Sequence, residues 1–225
     1  PTVGALVNAY GFGPAKSLAQ IDQDAVDSLL TITGFDKVSL LSDGSITKAH
    51  KNIYLDFNAI AKGYAVDALA AMLQSLGYTQ FLVEVGGELF ASGLHPEKAK
   101  PWRVAIDHPK QDVARTFIAT LPLQNQGMAS SGNYRKFRTD ASGNYYVHTI
   151  NPKTGKSVKS NILSTTVLAP TTMLADAYAT ALMAMPYTRG KILIENLNEV
   201  EAMWVLAEKD SVQVMATSGF TYDLE

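Results

Sequence analysis

A chain of 225 residues, 47% hydrophobic and 18% charged, is long enough to bury a substantial core as one large domain or two small ones. Its net charge of −2 and pI of about 6.1 argue against nucleic-acid binding through a basic field, and no RNP, zinc-finger or basic-helix signature is present. The absence of cysteine excludes disulfides, thiolate catalysis and Cys-ligated zinc or iron–sulfur sites, and no apolar run approaches a membrane span.

The opening segment, PTVGALVNAYGFGP, sets Gly4, Gly11, Gly13 and Pro14 among apolar and aromatic residues, which suits a buried, turn-rich stretch lining a cavity. Tyr10 and Phe12 there serve either core packing or ligand contact. With neither an initiator Met nor a polar lead-in, the start reads as the interior of a longer protein. Asp22 is placed to cap a helix over 23–33 that stops at Gly34. Residues 37–41 and 45–48 flank Asp43-Gly44, a hairpin signal.

The stretch 55–77 runs from a short apolar strand through a polar turn into an Ala-rich helix over 60–76, ending at Gly77. Asp56, Asn58 and Lys62 crowd that turn, and Gly63 permits close approach where free helix N–H groups attract an anion. The alternatives are a phosphate or nucleotide end-site and a plain N-cap by Asp56.

Residues 81–85 read as a buried strand leading into Gly86-Gly87-Glu88, where the backbone bends sharply, bulges or admits something close. Strands follow at 102–106 and 115–123. The small, hydroxyl-rich segment 127–132 reads as backbone running close to a ligand or as a tightly packed turn. A hairpin is expected from 134–137 and 144–150 around 139–143, with His148 near its end, ahead of the turn 151–155. A single histidine there is either structural or a proton acceptor.

A strand over 162–169 ends at Pro170, and a helix over 172–185 stops before Pro186. Within it Asp176 and Thr180 share one face among alanines, so a carboxylate and a hydroxyl could bind a hard cation such as Mg²⁺. Otherwise, Asp176 serves the helix N-terminus and Thr180 bonds back to its own helix. The remaining residues give a helix over 189–196 and a hairpin of 202–207 with 211–216, turning at 209–210, with no candidate chemistry. Without repeats or linkers, one continuous α/β unit over 1–225 is expected.

The ordered series PTVGALVNAYGFGP, DFNAIAKGYAVD, VEVGGELFASG, PWRVAIDHP, SSGNYRKF, VHTINPKTG and ADAYATAL resembles the ApbE family, the FAD:protein FMN transferases, along nearly the whole length. The resemblance implies mixed or antiparallel sheets flanked by helices, with a flavin site in a central cleft. It implies Mg²⁺-dependent transfer of FMN from FAD to a Ser or Thr hydroxyl of an acceptor protein, releasing AMP. The acceptor would be a redox-complex subunit or a secreted flavoprotein. FAD pyrophosphatase activity giving FMN and AMP, and non-catalytic FAD binding or carriage, are the alternatives.

By the same resemblance, Ala59 through its carbonyl, Asp176 and Thr180 hold the metal. Asp56, Lys62, Gly86, Gly87 and Ile150 contact FAD, and His148 activates the acceptor hydroxyl. Asn151 stands where many relatives carry Asp, and Ala179 where some are acidic. Family members extend upstream of the PTVG motif, so part of the flavin pocket is expected there. A periplasmic location, or anchorage to the outer face of the bacterial inner membrane, is likewise implied.

Overall fold

The computed structural model describes residues 2–109, 115–133, 137–139, 145–158, 160–209 and 211–225. Helices α1 (Gly4–Ala9) and α2 (Gln23–Thr31) precede a hairpin of β1 (Val38–Leu40) and β2 (Ile46–Lys48). Helix α3 (Ala61–Ser75) leads into β3 (Phe81–Val85), β4 (Glu88–Ser92), β5 (Trp102–Asp107), β6 (Phe117–Leu123) and β7 (Gln126–Gly132). The short pair β8 (Phe137–Thr139) and β9 (Tyr145–Val147) is followed by β10 (Ile162–Ala169), α4 (Thr172–Met183) and α5 (Tyr187–Glu195). Strands β11 (Glu201–Ala207), β12 (Val212–Ala216) and β13 (Asp223–Leu224) close the chain. These elements form two compact units, residues 1–57 with 135–159 and residues 58–134 with 160–225.

The larger unit is built on a six-stranded sheet in the order β12-β11-β10-β7-β4-β3, with every neighbouring pair antiparallel. Alternation along β11 decides its layering. Ala202, Trp204 and Leu206 pack with Ala175, Ala179 and Leu182 of α4 and Ile194 of α5. Met203 and Val205 point the other way, into a core shared with Val104, Ile106, Leu121 and Leu123 of the three-stranded sheet β13-β6-β5. Both faces of the strand are therefore covered, which explains an unbroken apolar run in an antiparallel sheet. Trp204 is fully buried, and burial of a large apolar side chain contributes about 3 kcal/mol.

Several boundaries differ from the sequence reading. Segment 127–132 is not a tightly packed turn but β7, paired with β10 on one side and β4 on the other. Its small residues let α4 lie directly on it: a Cβ on Gly127 would stand 2.4 Å from the Thr172 nitrogen. Pro186 stands at the N-cap of α5, so that helix begins at Tyr187 rather than 189. Strand β13, two residues paired with β6, is too short to leave a sequence signal.

In the smaller unit, the opening segment is not simply turn-rich, since Gly4–Ala9 is helical. Leu6 and Tyr10 pack with Ile150, and the Tyr10 and Tyr146 rings meet edge to face at 5.3 Å. Asp22 caps α2 as expected, its Oδ1 accepting from the Ala25 N–H at 2.8 Å. The helix ends at Thr31, before Gly34, where the Lys37 ammonium donates to the carbonyls of Leu30, Thr31 and Thr33 at 2.8 to 2.9 Å. The hairpins β1–β2 and β8–β9 form with antiparallel register. Of the turn expected at 139–143, Thr139 ends β8 and residues 140–143 lie outside the described residues, as do residues 134–136, 144 and 210 of the two expected hairpins.

Candidate functional site

Gly63 and Asp67 lie one turn apart on α3, and that face meets the N-terminal half of α4. A Cβ on Gly63 would fall 2.4 Å from the Thr172 carbonyl oxygen and 2.7 Å from Met173 Cα, so only glycine lets the two backbones come this close. The contact is sealed from both directions. The Gly63 N–H donates to Asp176 Oδ2 at 3.1 Å, while Asp67 accepts from the N–H groups of Thr172 and Met173 at 2.8 and 2.9 Å. Each helix thus caps the other's N-terminus with a carboxylate.

This arrangement corrects two sequence readings. Asp56 does not cap α3: the N-cap is Ile60, with no side-chain cap, and the helix N-terminus is served by Asp176 from a distant part of the chain. Asp176 in turn serves α3 rather than its own helix. Thr180, on the next turn of α4, has its hydroxyl 3.3 Å from Ser131 Oγ on β7. Ala59 is half-buried, just ahead of the Ile60 N-cap, and so in the turn entering this crossing.

Asp176 is 3% exposed, and burial pushes its carboxyl above the ordinary value against the opposing pull of the Gly63 N–H and the Lys62 charge. Lys62 also reaches Glu88, with which it forms an ion pair. Glu88 is 1% exposed, and its Oε2 is buried without a hydrogen-bond partner among the described residues. Burial raises its carboxyl too, opposed by the Lys62 hydrogen bond and charge and reinforced by Asp176.

Gly86 and Gly87 form the two-residue turn of the β3–β4 hairpin, between the paired Val85 and Glu88. Their φ values of +64° and +102° are those a tight right-twisted hairpin demands, so the pair is a turn and not a bulge. The Lys62 stem lies beside it, 3.4 Å from where a Gly86 Cβ would stand, and the Gly87 side is open.

Asp56, His148 and Ile150 belong to the smaller unit. Asp56 is buried, and Ile150 is a core residue bridged to Ser157. His148 is half-buried, with its ring edge-to-face to Phe12 at 6.3 Å between centroids. Asn151 shapes the following turn, its Oδ1 accepting from the N–H groups of Lys153 and Thr154 at 2.9 and 3.3 Å.

Glu88, Asp67 and Ser131 are the participants that sequence reasoning passed over. Glu88 carried a signal, as the lone acid opening an otherwise apolar strand directly after two glycines. Asp67 shares the Gly63 face of α3 at helical spacing, but its partner lies over a hundred residues away and only tertiary contact reveals it.

An antiparallel α/β fold whose helix crossing gathers a buried carboxylate, hydroxyls and an ammonium is the class defined by these observations. The chain belongs to the ApbE family, whose model matches residues 1–204. It is 39% identical over 201 residues to a FAD:protein FMN transferase of Haemophilus influenzae, covering 88% of this chain and 58% of that protein. The corresponding Escherichia coli protein is 34% identical over 197 residues, covering 86% and 55% respectively. The solved flavin transferase ApbE from Vibrio cholerae superposes with a TM-score of 0.84 at 33% identity, covering 97% of this chain and 68% of that structure. The chain thus spans somewhat over half the length of these two curated relatives.

Proposed function

We propose that this chain is the flavin-binding catalytic portion of a FAD:protein FMN transferase, moving FMN from FAD to a Ser or Thr hydroxyl of an acceptor protein with release of AMP. The observation that carries this reading is the buried Asp176 at the α3 N-terminus, with Thr180 one turn on and Lys62 within electrostatic reach, in a chain aligned with transferases of that name. A pyrophosphate transfer needs its charge neutralised and its reacting atoms aligned more than it needs covalent chemistry from the protein.

The residues fit Mg²⁺. Asp176, Thr180 and the Ala59 carbonyl are hard oxygen donors, and Glu88, buried with one oxygen unpartnered among the described residues, stands in electrostatic reach of Asp176, so two buried carboxyls face each other's charge where a cation would offset it. Among the described residues no group of three His, Cys, Asp or Glu side chains could hold a metal. Mg²⁺ ordinarily takes one or two protein carboxylates and completes its shell with phosphates and water. When bound, it would withdraw charge from the diphosphate oxygens.

Lys62 would hold the diphosphate electrostatically beside the open Gly86-Gly87 turn of the larger unit; for Asp56 and Ile150 of the smaller unit, flavin contact is proposed on the family resemblance alone. The acceptor oxygen attacks the FMN phosphorus, the bond from that phosphorus to the bridging oxygen breaks, AMP leaves, and the hydroxyl proton passes to the His148 imidazole. A positioned base contributes roughly 10²- to 10⁴-fold. Family resemblance supports a reaction site in the periplasm or on the outer face of the inner membrane, and the described residues include no helix able to span a membrane.

Incubation of the protein with FAD, Mg²⁺ and an acceptor carrying the target Thr should give a fluorescent band that survives denaturing electrophoresis. Asp176→Ala should abolish it. Undiminished labelling by that variant would refute the metal assignment, and FMN and AMP formed equally fast without acceptor would identify a pyrophosphatase instead.

A further inference from the structure

Glu88 is costly to bury. Its carboxylate is 1% exposed at the start of β4, and one oxygen has no partner among the described residues. An apolar side chain would serve the strand better, since a buried acid is destabilising unless it is fully paired. What Glu88 does engage is Lys62, whose side chain remains 47% exposed and whose stem passes the Gly86 turn. A lysine on a helix surface ordinarily samples many rotamers, and this one is tied at its ammonium by a carboxylate that is itself immobilised in a strand.

We propose that Glu88 is a positioning residue that anchors the Lys62 ammonium beside the Gly86-Gly87 turn, so that the diphosphate of FAD meets a pre-oriented cation. Glu88 acts through Lys62 and does not touch the ligand. The inference rests on the FAD-binding reading given above and adds to it the group that sets the geometry of the anion contact. Because the anchor is an ion pair of fixed reach, charge and length are both required. Gln keeps the length and loses the carboxylate charge, and with it the ion pair, whereas Asp keeps the charge and falls one methylene short.

The test is FAD affinity, measured by quenching of flavin fluorescence without acceptor, for wild type, Glu88→Gln, Glu88→Asp, Lys62→Met and the double variants. Both Glu88 substitutions should weaken binding about tenfold in the wild-type background and leave it unchanged in the Lys62→Met background. If Glu88 merely balanced charge, Gln would tighten binding of the anionic ligand and Asp would leave it unchanged. Either result overturns the proposal, as does an equal loss in both backgrounds.

Should the Glu88 variants fail to fold, the ε-methylene protons of Lys62 in the wild type decide. Resolved, non-equivalent NMR signals report an anchored ammonium, and a single averaged signal refutes it. A wild-type protein that binds no FAD overturns the function and this inference together. FAD binding that is indifferent to Glu88 overturns the inference alone.

Discussion

Gly63→Ala tests the helix crossing directly. The added methyl would stand 2.4 Å from the Thr172 oxygen and 2.7 Å from Met173 Cα, where ordinary contact begins at 3.4 Å. Both obstacles are backbone, so no rotamer change relieves them, and the helices must part by about 1 Å; overpacking of this kind costs about 1–3 kcal/mol. The same displacement stretches the 3.1 Å bond from the residue-63 N–H to Asp176, and a hydrogen bond to a charged group contributes about 1.5–3 kcal/mol. Alanine's better helix propensity returns about 1 kcal/mol.

The net loss of roughly 1.5–5 kcal/mol corresponds to a fall in Tm of about 3–20 °C for a chain of this size. Scanning calorimetry would read it. Gly190→Ala on α5 is the control: its methyl would meet the Cδ2 tip of Leu182 at 2.8 Å, a side-chain end that can shift, so its melting temperature should stay close to wild type. A Gly63→Ala protein as stable as wild type would refute the close crossing and, with it, the capping of α3 by Asp176.

Other consequences follow from the same contacts. Asp67→Ala strips two acceptors from the α4 N-terminus and should cost about 1–2 kcal/mol, seen as a lower urea midpoint at unchanged m. Glu88, its carboxyl raised above the ordinary 4.5, binds more protons folded than unfolded. Its contribution to stability is therefore complete below pH 4.5 and declines as pH rises through the folded value. Subtracting Glu88→Gln from wild-type stability across that range, in metal-free buffer, should isolate this decline, and a flat difference would contradict it. His148→Ala should slow flavin transfer by about 10²- to 10⁴-fold in single-turnover assays while leaving FAD affinity near wild type.

Much of this was legible before any tertiary contact was known. Asp22 and the helix it caps, read over 23–33 and formed over 23–31, the Asp43-Gly44 hairpin, the 81–85 strand and the Asp176/Thr180 face are local patterns, each decided by backbone propensity or helical spacing. The order of the motifs also pointed to the ApbE family. Misreadings fell where long-range packing overrides local preference. Segment 127–132 looks like a turn because glycine and serine favour turns, yet it is a central strand because α4 requires small residues beneath it.

The crossing of α3 and α4 marks the division most sharply. By itself the sequence determined that an Ala-rich helix follows a polar turn, that Gly63 is a place of close approach, and that Asp176 and Thr180 share a helix face, because these depend on neighbours within a few residues. Only the tertiary structure decided that the close approach is to another helix, that Asp176 rather than Asp56 serves the α3 N-terminus, and that Glu88 holds Lys62. Partners for buried charges are chosen by which backbones meet after folding, and residues 63 and 176 are joined by a hydrogen bond across a separation that no local pattern spans.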